Sequence, residues 1–193
     1  MQAISGIGLI QNSDSAQQWE MGNLSMPAYF NRTLQNQDTP WNFSAEPFVD
    51  LLTISLGGND YNHQHGNVPT NQSFTEHSAA FFAFLFRAFN KRQVETGSLT
   101  QIMAVCGMGD PEEVKIDPDN NRCRPCPHVA DAVASFRVAH PSLASRLHYL
   151  FVPCDGTVIT GLGDIGCNGH KNRLGQEKVA EFIAPFISSI LGW

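Results

Sequence analysis

Short apolar runs alternate along the chain with longer stretches in which hydrophobic residues recur at helical spacing. Residues 48–56, the run Gln101-Ile-Met-Ala-Val-Cys106 and the run Leu147 to Pro153 read as buried strands. Between the first two, Phe81, Phe82, Leu85, Phe86 and Phe89 form one wide apolar stripe, predicting a helix over Glu76 to Arg92 that packs on a sheet. Helical spacing returns from Val129 to Ala139. It returns again in Val179, Phe182, Ile183, Phe186, Ile187 and Ile190, where Pro185 is expected to kink the element. This order predicts a three-layer α/β/α sandwich with a mainly parallel sheet, its right-handed crossovers placing helices on both faces.

The intervening segments are polar. Residues 2–11 begin as if in mid-strand and run into Ser5-Gly6-Ile7-Gly8. Residues 12–46 read as a long loop with a short helix around Met26 to Leu34, tacked to the body by Trp19, Tyr29, Phe30, Trp41 and Phe43. A second polar loop spans Asp60 to Thr75. A third, Gly107 to Pro127, carries Asp110, Glu112, Glu113, Asp117 and Asp119. Loops this long inside a compact domain are usually functional insertions or mobile segments.

Composition narrows the classes. The 193 residues, 42% of them hydrophobic, suit one domain over 1–193 with a real core. The net charge of −6 and only 12 Lys plus Arg leave no basic cluster long enough to follow a phosphate backbone, so nucleic acid is not expected as a partner. No stretch approaches the ~20 apolar residues that span a bilayer. Cys106, Cys123, Cys126, Cys154 and Cys167 make an odd set, so complete pairing within the chain is impossible. Together with Asn-x-Ser/Thr acceptors at Asn23, Asn31, Asn42 and Asn71, the cysteines point toward a secreted or lumenal protein. Residues 1–20 show neither a basic start nor an apolar core of a signal peptide, so either the chain is cytosolic or its true amino terminus lies upstream.

Three places carry residues fit for chemistry. The strand-like run Leu51-Leu-Thr-Ile-Ser-Leu56 stops at Gly57-Gly58, followed by Asn59 and Asp60. Two glycines let the backbone turn sharply, leaving Asn59 at a strand's carboxyl edge, where ligand chemistry in open α/β sheets is usually found. There a side-chain amide can donate to a developing oxyanion; an isolated Gly-Asn-Asp would more simply turn or cap the chain. His170 lies in a Gly-bounded loop, Gly166-Cys-Asn-Gly-His170, just before the last helix, and is a candidate general base. Cys123-x-x-Cys126-x-His128 invites zinc, with Cys106 or Cys154 as a further ligand. Disulfide pairing, for example of Cys106 with Cys154 across adjacent strand ends, is the preferred reading. The acidic spacing over 109–119 does not follow an EF-hand, and no metal or cofactor is expected.

The Gly57-Gly-Asn-Asp60 block and the order Cys167-x-x-His170-x-Asn172-x-x-Gly175 resemble the third and fifth blocks of the SGNH hydrolases, in particular the branch similar to carbohydrate esterase family 2. Ser5-Gly6-Ile7-Gly8 is similar to the second block. The resemblance implies a flavodoxin-like α/β/α fold and ester hydrolysis by serine acyl transfer. His170 would be the base, with Asn59 and the backbone N–H of Gly6 as oxyanion donors. The substrate it implies is an acetylated carbohydrate or another small ester.

Three departures accompany it. Lys171 and Gln176 replace the pattern's usual Pro and His. The family's Gly-Asp-Ser nucleophile block does not occur; the nearest string, Asn12-Ser-Asp-Ser15, follows the second block instead of preceding it. The expectation is therefore an N-terminally incomplete SGNH domain that lacks the first strand and nucleophile block: a truncated product, or an inactive relative that binds without catalysing. Asn168 and Cys167 also stand where many relatives place the Asp that orients the histidine, leaving Asp164 as the possible orienting residue. A nucleotide-binding α/β domain would need a Gly-rich loop opening directly into a helix, whereas Gly57-Gly58 opens into a polar loop.

Overall fold

Alternation along one strand organises the molecule. In the computed structural model, which describes residues 6–12, 24–32, 39–45, 47–61, 68–90, 97–107, 123–167 and 170–193, strand β2 (Gln101–Gly107) is buried on both faces. Ile102, Ala104 and Cys106 join one hydrophobic cluster, while Met103 and Val105 join another. This is the period-two signature of a central parallel strand. β1 (Leu51–Ile54) and β3 (Leu147–Val152) flank it in the order β1-β2-β3, both parallel, with Leu51 opposite Gln101 and Ile102 opposite Leu147.

Helices α2 (Asn71–Ala88) and α3 (Cys126–Ala139) follow β1 and β2 and pack against each other on the first cluster's face. Two parallel connections that advance in the same direction across a sheet put both helices on one side. The phenylalanine stripe is core: Phe74, Phe81, Phe82, Leu85 and Phe86 are buried, and Phe86 stacks on Phe136 of α3 with ring centroids 5.6 Å apart. The other face is covered by α4 (Arg173–Leu191), through Val179, Phe182, Ile183 and Ile187. The three-layer α/β/α arrangement is thus present.

Helix ends differ from the periodicity reading for local reasons. α2 begins five residues before Glu76 because the Thr70 side chain accepts from the Ser73 N–H at 3.2 Å, capping the first turn. α3 begins at Cys126 because Pro127 fits the first turn, where its missing N–H costs nothing. Pro185 lies inside α4 and does not end it. The expected helix near Met26 is the single short element α1 (Met26–Phe30). Phe30 and Phe43 stack with centroids 5.7 Å apart and meet Phe84 and Phe89 of the α2 region, fastening the loop as expected; Trp41 is exposed instead. Trp19 and the acidic stretch Asp110 to Asp119 lie outside the described residues.

The cysteine pairing requires a correction. Cys106 and Cys126 stand at disulfide distance, with Cα atoms 5.4 Å apart, and so do Cys123 and Cys154, at 6.4 Å. Cys106–Cys154 is not a pair. The first bridge ties the end of β2 to the first residue of α3, and the second ties the turn before α3 to the loop after β3. The Cys123-x-x-Cys126 thiols are thereby committed to two separate bridges, which removes the zinc reading. Cys167 is unpaired and exposed. No helix among the described residues is long and apolar enough to cross a membrane.

Candidate active site

The carboxyl ends of all three strands point to one edge of the sheet, and the loops leaving them carry the candidate residues. After β1 the chain turns at Gly57, whose φ of +113° is in a region side chains avoid and whose absent Cβ would lie 2.8 Å from Phe74 and 3.0 Å from Pro125. The Asp60 N–H closes the turn on the Gly57 carbonyl at 3.1 Å. Gly58 plays a different part: nothing lies within 4 Å of where its Cβ would be, so the turn is open there.

Asn59 and the Gly6 segment are brought together. The Asn59 side-chain amide donates to the Ile7 carbonyl at 2.8 Å. An amide nitrogen carries two protons, so one fixes the group while the other remains to be offered to a substrate oxygen. Gly6 has a φ of +73°, the left-handed conformation glycine accepts without strain.

The residue that holds this arrangement is Asp60, which is completely buried. Its carboxylate accepts from three successive backbone N–H groups: Leu9 at 2.8 Å, Ile10 at 2.6 Å and Gln11 at 3.1 Å. The Gln11 side chain returns a bond to the Asp60 carbonyl at 2.9 Å. Burial pushes the Asp60 carboxyl up from its ordinary value, and the three N–H donors oppose that shift. Gly8 cannot carry a Cβ here, since the atom would meet the Gln11 carbonyl and lie 2.7 Å from Asp60 Oδ2. Asn12 completes the anchoring by accepting from the Gly8 N–H at 3.1 Å and donating to the Leu24 carbonyl at 3.0 Å. Asp60 is adjacent to Asn59 in sequence, but its donors are backbone groups about fifty residues away, which leave no residue-type signature.

His170 is exposed, on the loop between β3 and α4. Its backbone is held twice, by its N–H to the Cys167 carbonyl at 3.1 Å and by the Gly166 N–H to its own carbonyl at 2.6 Å. An antiparallel bridge between Ile165 and Lys171 closes the loop's base. Asn172 then caps α4, accepting from the Gly175 N–H at 3.0 Å while its amide donates to the Gly163 carbonyl at 2.8 Å. One side chain therefore starts the helix and fixes the loop. Because β1 and β3 flank β2, their carboxyl ends are two strand spacings apart, roughly 10 Å.

Asp164 sits in a hydrogen-bond set formed with Thr160 and Lys178. Only 1% exposed, it accepts from the Thr160 N–H at 2.7 Å and the Thr160 hydroxyl at 2.8 Å, and the Lys178 ammonium of α4 donates to both its oxygens. These bonds, Lys178 first, pull its carboxyl down to about 2. The carboxylate is committed to fastening the loop onto α4. Lys178, which supplies the charge, has no sequence signal beyond lying two turns from His170.

No protein-family model matches the chain, and no curated protein matches it. Among solved structures, a carbohydrate esterase family 2 enzyme with a carbohydrate-binding domain, from Corynascus thermopiles (Myceliophthora fergusii), superposes with a TM-score of 0.72 at 19% identity. The superposition covers 98% of this chain and 51% of that one, so the chain spans about half the length of its structural neighbour. The chain has the α/β/α fold of that carbohydrate esterase, in accord with the SGNH resemblance of its sequence blocks.

Proposed function

We infer that residues 1–193 form one SGNH-type domain of a carboxylic ester hydrolase acting on O-acetyl groups of carbohydrate. The observation that carries this reading is the Asn59 amide held on the Ile7 carbonyl, next to Gly6 in the chain, with His170 on the loop that follows β3. In such a reaction His170 removes the proton of a serine nucleophile. Asn59 and the Gly6 N–H receive the oxyanion of the tetrahedral intermediate, and water releases the acyl group in a second passage through the same site. Asp164 acts here as the anchor of the His170 loop rather than as its orienting carboxylate. The two cysteine pairs, together with exposed acceptor asparagines at 31, 42 and 71, support a secreted glycoprotein.

One observation favours a second reading, a non-catalytic carbohydrate-binding protein on the same fold: the sequence contains no Gly-Asp-Ser block. Release of acetate from 4-nitrophenyl acetate and acetylated xylan by the purified chain tests the first. Under the esterase reading, His170→Ala nearly abolishes hydrolysis and Asn59→Ala lowers turnover roughly 10²–10³-fold, as removal of one oxyanion donor does. Equal rates in the chain and both variants overturn the assignment, and no hydrolysis at all is the outcome both for an esterase domain without its nucleophile block and for a binding protein.

A further inference from the structure

Asn42, Phe43 and Ser44 form one of the Asn-x-Ser/Thr triplets, and Phe43–Ala45 make a single turn of 3-10 helix. The Asn42 side-chain oxygen accepts twice from Ser44, from its N–H at 3.1 Å and from its hydroxyl at 2.6 Å. The Ala45 N–H donates to the Asn42 carbonyl at 3.0 Å, closing the backbone at the same residue. Asn42 and Ser44 are exposed, whereas Phe43 between them turns inward, stacked on Phe30 and edge-on to Phe84 and Phe89. The middle residue thus anchors the triplet, and the two outer ones face solvent.

A carboxamide nitrogen is a poor nucleophile because its lone pair is delocalised into the carbonyl. Two donors on Oδ1 draw charge onto the oxygen and acidify the Nδ2 protons, while neither bond occupies the nitrogen itself. That is the activation that N-glycosylation requires. Nδ2 gives up one proton to a carboxylate of the transferase and bonds to the anomeric carbon of the first N-acetylglucosamine of a lipid diphosphate-linked oligosaccharide. The bond from that carbon to the diphosphate oxygen breaks, and the lipid diphosphate leaves with the electron pair.

Asn71 heads another triplet in a different setting. It is the first residue of α2, and the Ser73 N–H, which would close the corresponding turn, donates to the Thr70 side chain at 3.2 Å. Capping of the helix therefore competes with activation of the amide. Thr33 of the Asn31 triplet and Asn23 lie outside the described residues. The Asn42 turn and the Thr70 cap each close within four residues, so both are open to a nascent chain before its tertiary packing, when transfer takes place.

We propose, on the secretory reading above, that Asn42 is an N-glycan acceptor and is used in preference to Asn71, because the N–H and hydroxyl of its own serine engage its carboxamide.

The full chain is expressed in yeast behind a cleavable secretion leader, and its peptides are treated with peptide N-glycosidase in heavy-oxygen water, which marks each formerly glycosylated asparagine by mass. Asn42 is expected to be marked in most molecules and Asn71 in fewer. Asn42→Gln is expected to lose the mass of one glycan, and Thr70→Ala, which frees the Ser73 N–H, to raise the mark at Asn71. An unmarked Asn42, or one marked no more often than Asn71, overturns the assignment. The leader delivers the chain to the transferase whatever its natural location, so that result counts against this site alone; the secretory reading is lost separately, if the natural host retains the protein inside the cell. The readout is a mass and does not depend on ester hydrolysis.

Discussion

The Lys178 ammonium lies 2.8 Å from one carboxylate oxygen of Asp164 and 2.7 Å from the other, joining α4 to the loop that carries His170. The carboxyl sits within hydrogen-bond distance of Thr160 as well, so the loop is held from both sides. The loop that carries His170 is thus fastened to α4 by a structural ion pair.

This pair makes acid stability depend on Lys178. The folded pKa of Asp164 is about 2, below the ordinary carboxylate value, so its contribution is fully present above about pH 4 and is lost as pH falls toward 2. In Lys178→Met the folded pKa rises, and the acid unfolding midpoint, followed by circular dichroism, is expected to move to higher pH. Coincident acid transitions in the two proteins would show that the pair contributes nothing.

The paired glycines of the turn after β1 are not equivalent. Gly57→Ala forces a side chain into φ +113° and against Phe74 and Pro125, for an expected loss of about 2–4 kcal/mol in urea denaturation. Gly58→Ala meets nothing within 4 Å and is expected to change stability by no more than about 0.5 kcal/mol. Under the esterase reading the two would separate differently: alanine at 58 projects into the open turn and is expected to impair substrate entry.

Asp60 binds the segment 9–11 to the turn through three N–H donors, and an amide cannot replace it because its NH₂ would face a donor. Asp60→Asn is expected to cost about 2–4 kcal/mol, two or three charge-assisted hydrogen bonds being weakened at once. Hydrogen exchange should quicken at Leu9, Ile10 and Gln11 well before the core amides of β2. Unchanged protection at these three positions would contradict the arrangement.

Non-reducing peptide mapping is expected to return Cys106 with Cys126 and Cys123 with Cys154, while Cys167 reacts with a thiol reagent in the folded protein. The bridges close chain separations of 20 and 31 residues, so removing either by paired Cys→Ala substitution is expected to cost about 3–4 kcal/mol. Recovery of a Cys106–Cys154 peptide would reverse the correction made above.

Period-two and period-3.6 spacing were enough to place β2, the phenylalanine face of α2 and the parallel order of the layers, because burial on one or two faces writes itself into which residues are apolar. The Gly57-Gly58-Asn59 turn was legible for a related reason, since a sharp bend at a strand end demands residues of a particular size. Hydrogen bonds between distant segments leave no such pattern. Asp60 is satisfied by backbone N–H groups any residue could supply, Lys178 reaches Asp164 only after α4 packs on β3, and the cysteine partners depend on how the turn before α3 lies over Gly57. Sequence by itself thus determined the layers and the local turns of this protein. Which polar groups meet at the sheet edge, and what holds them there, was decided by tertiary packing, which alone brings segments fifty residues apart within 3 Å.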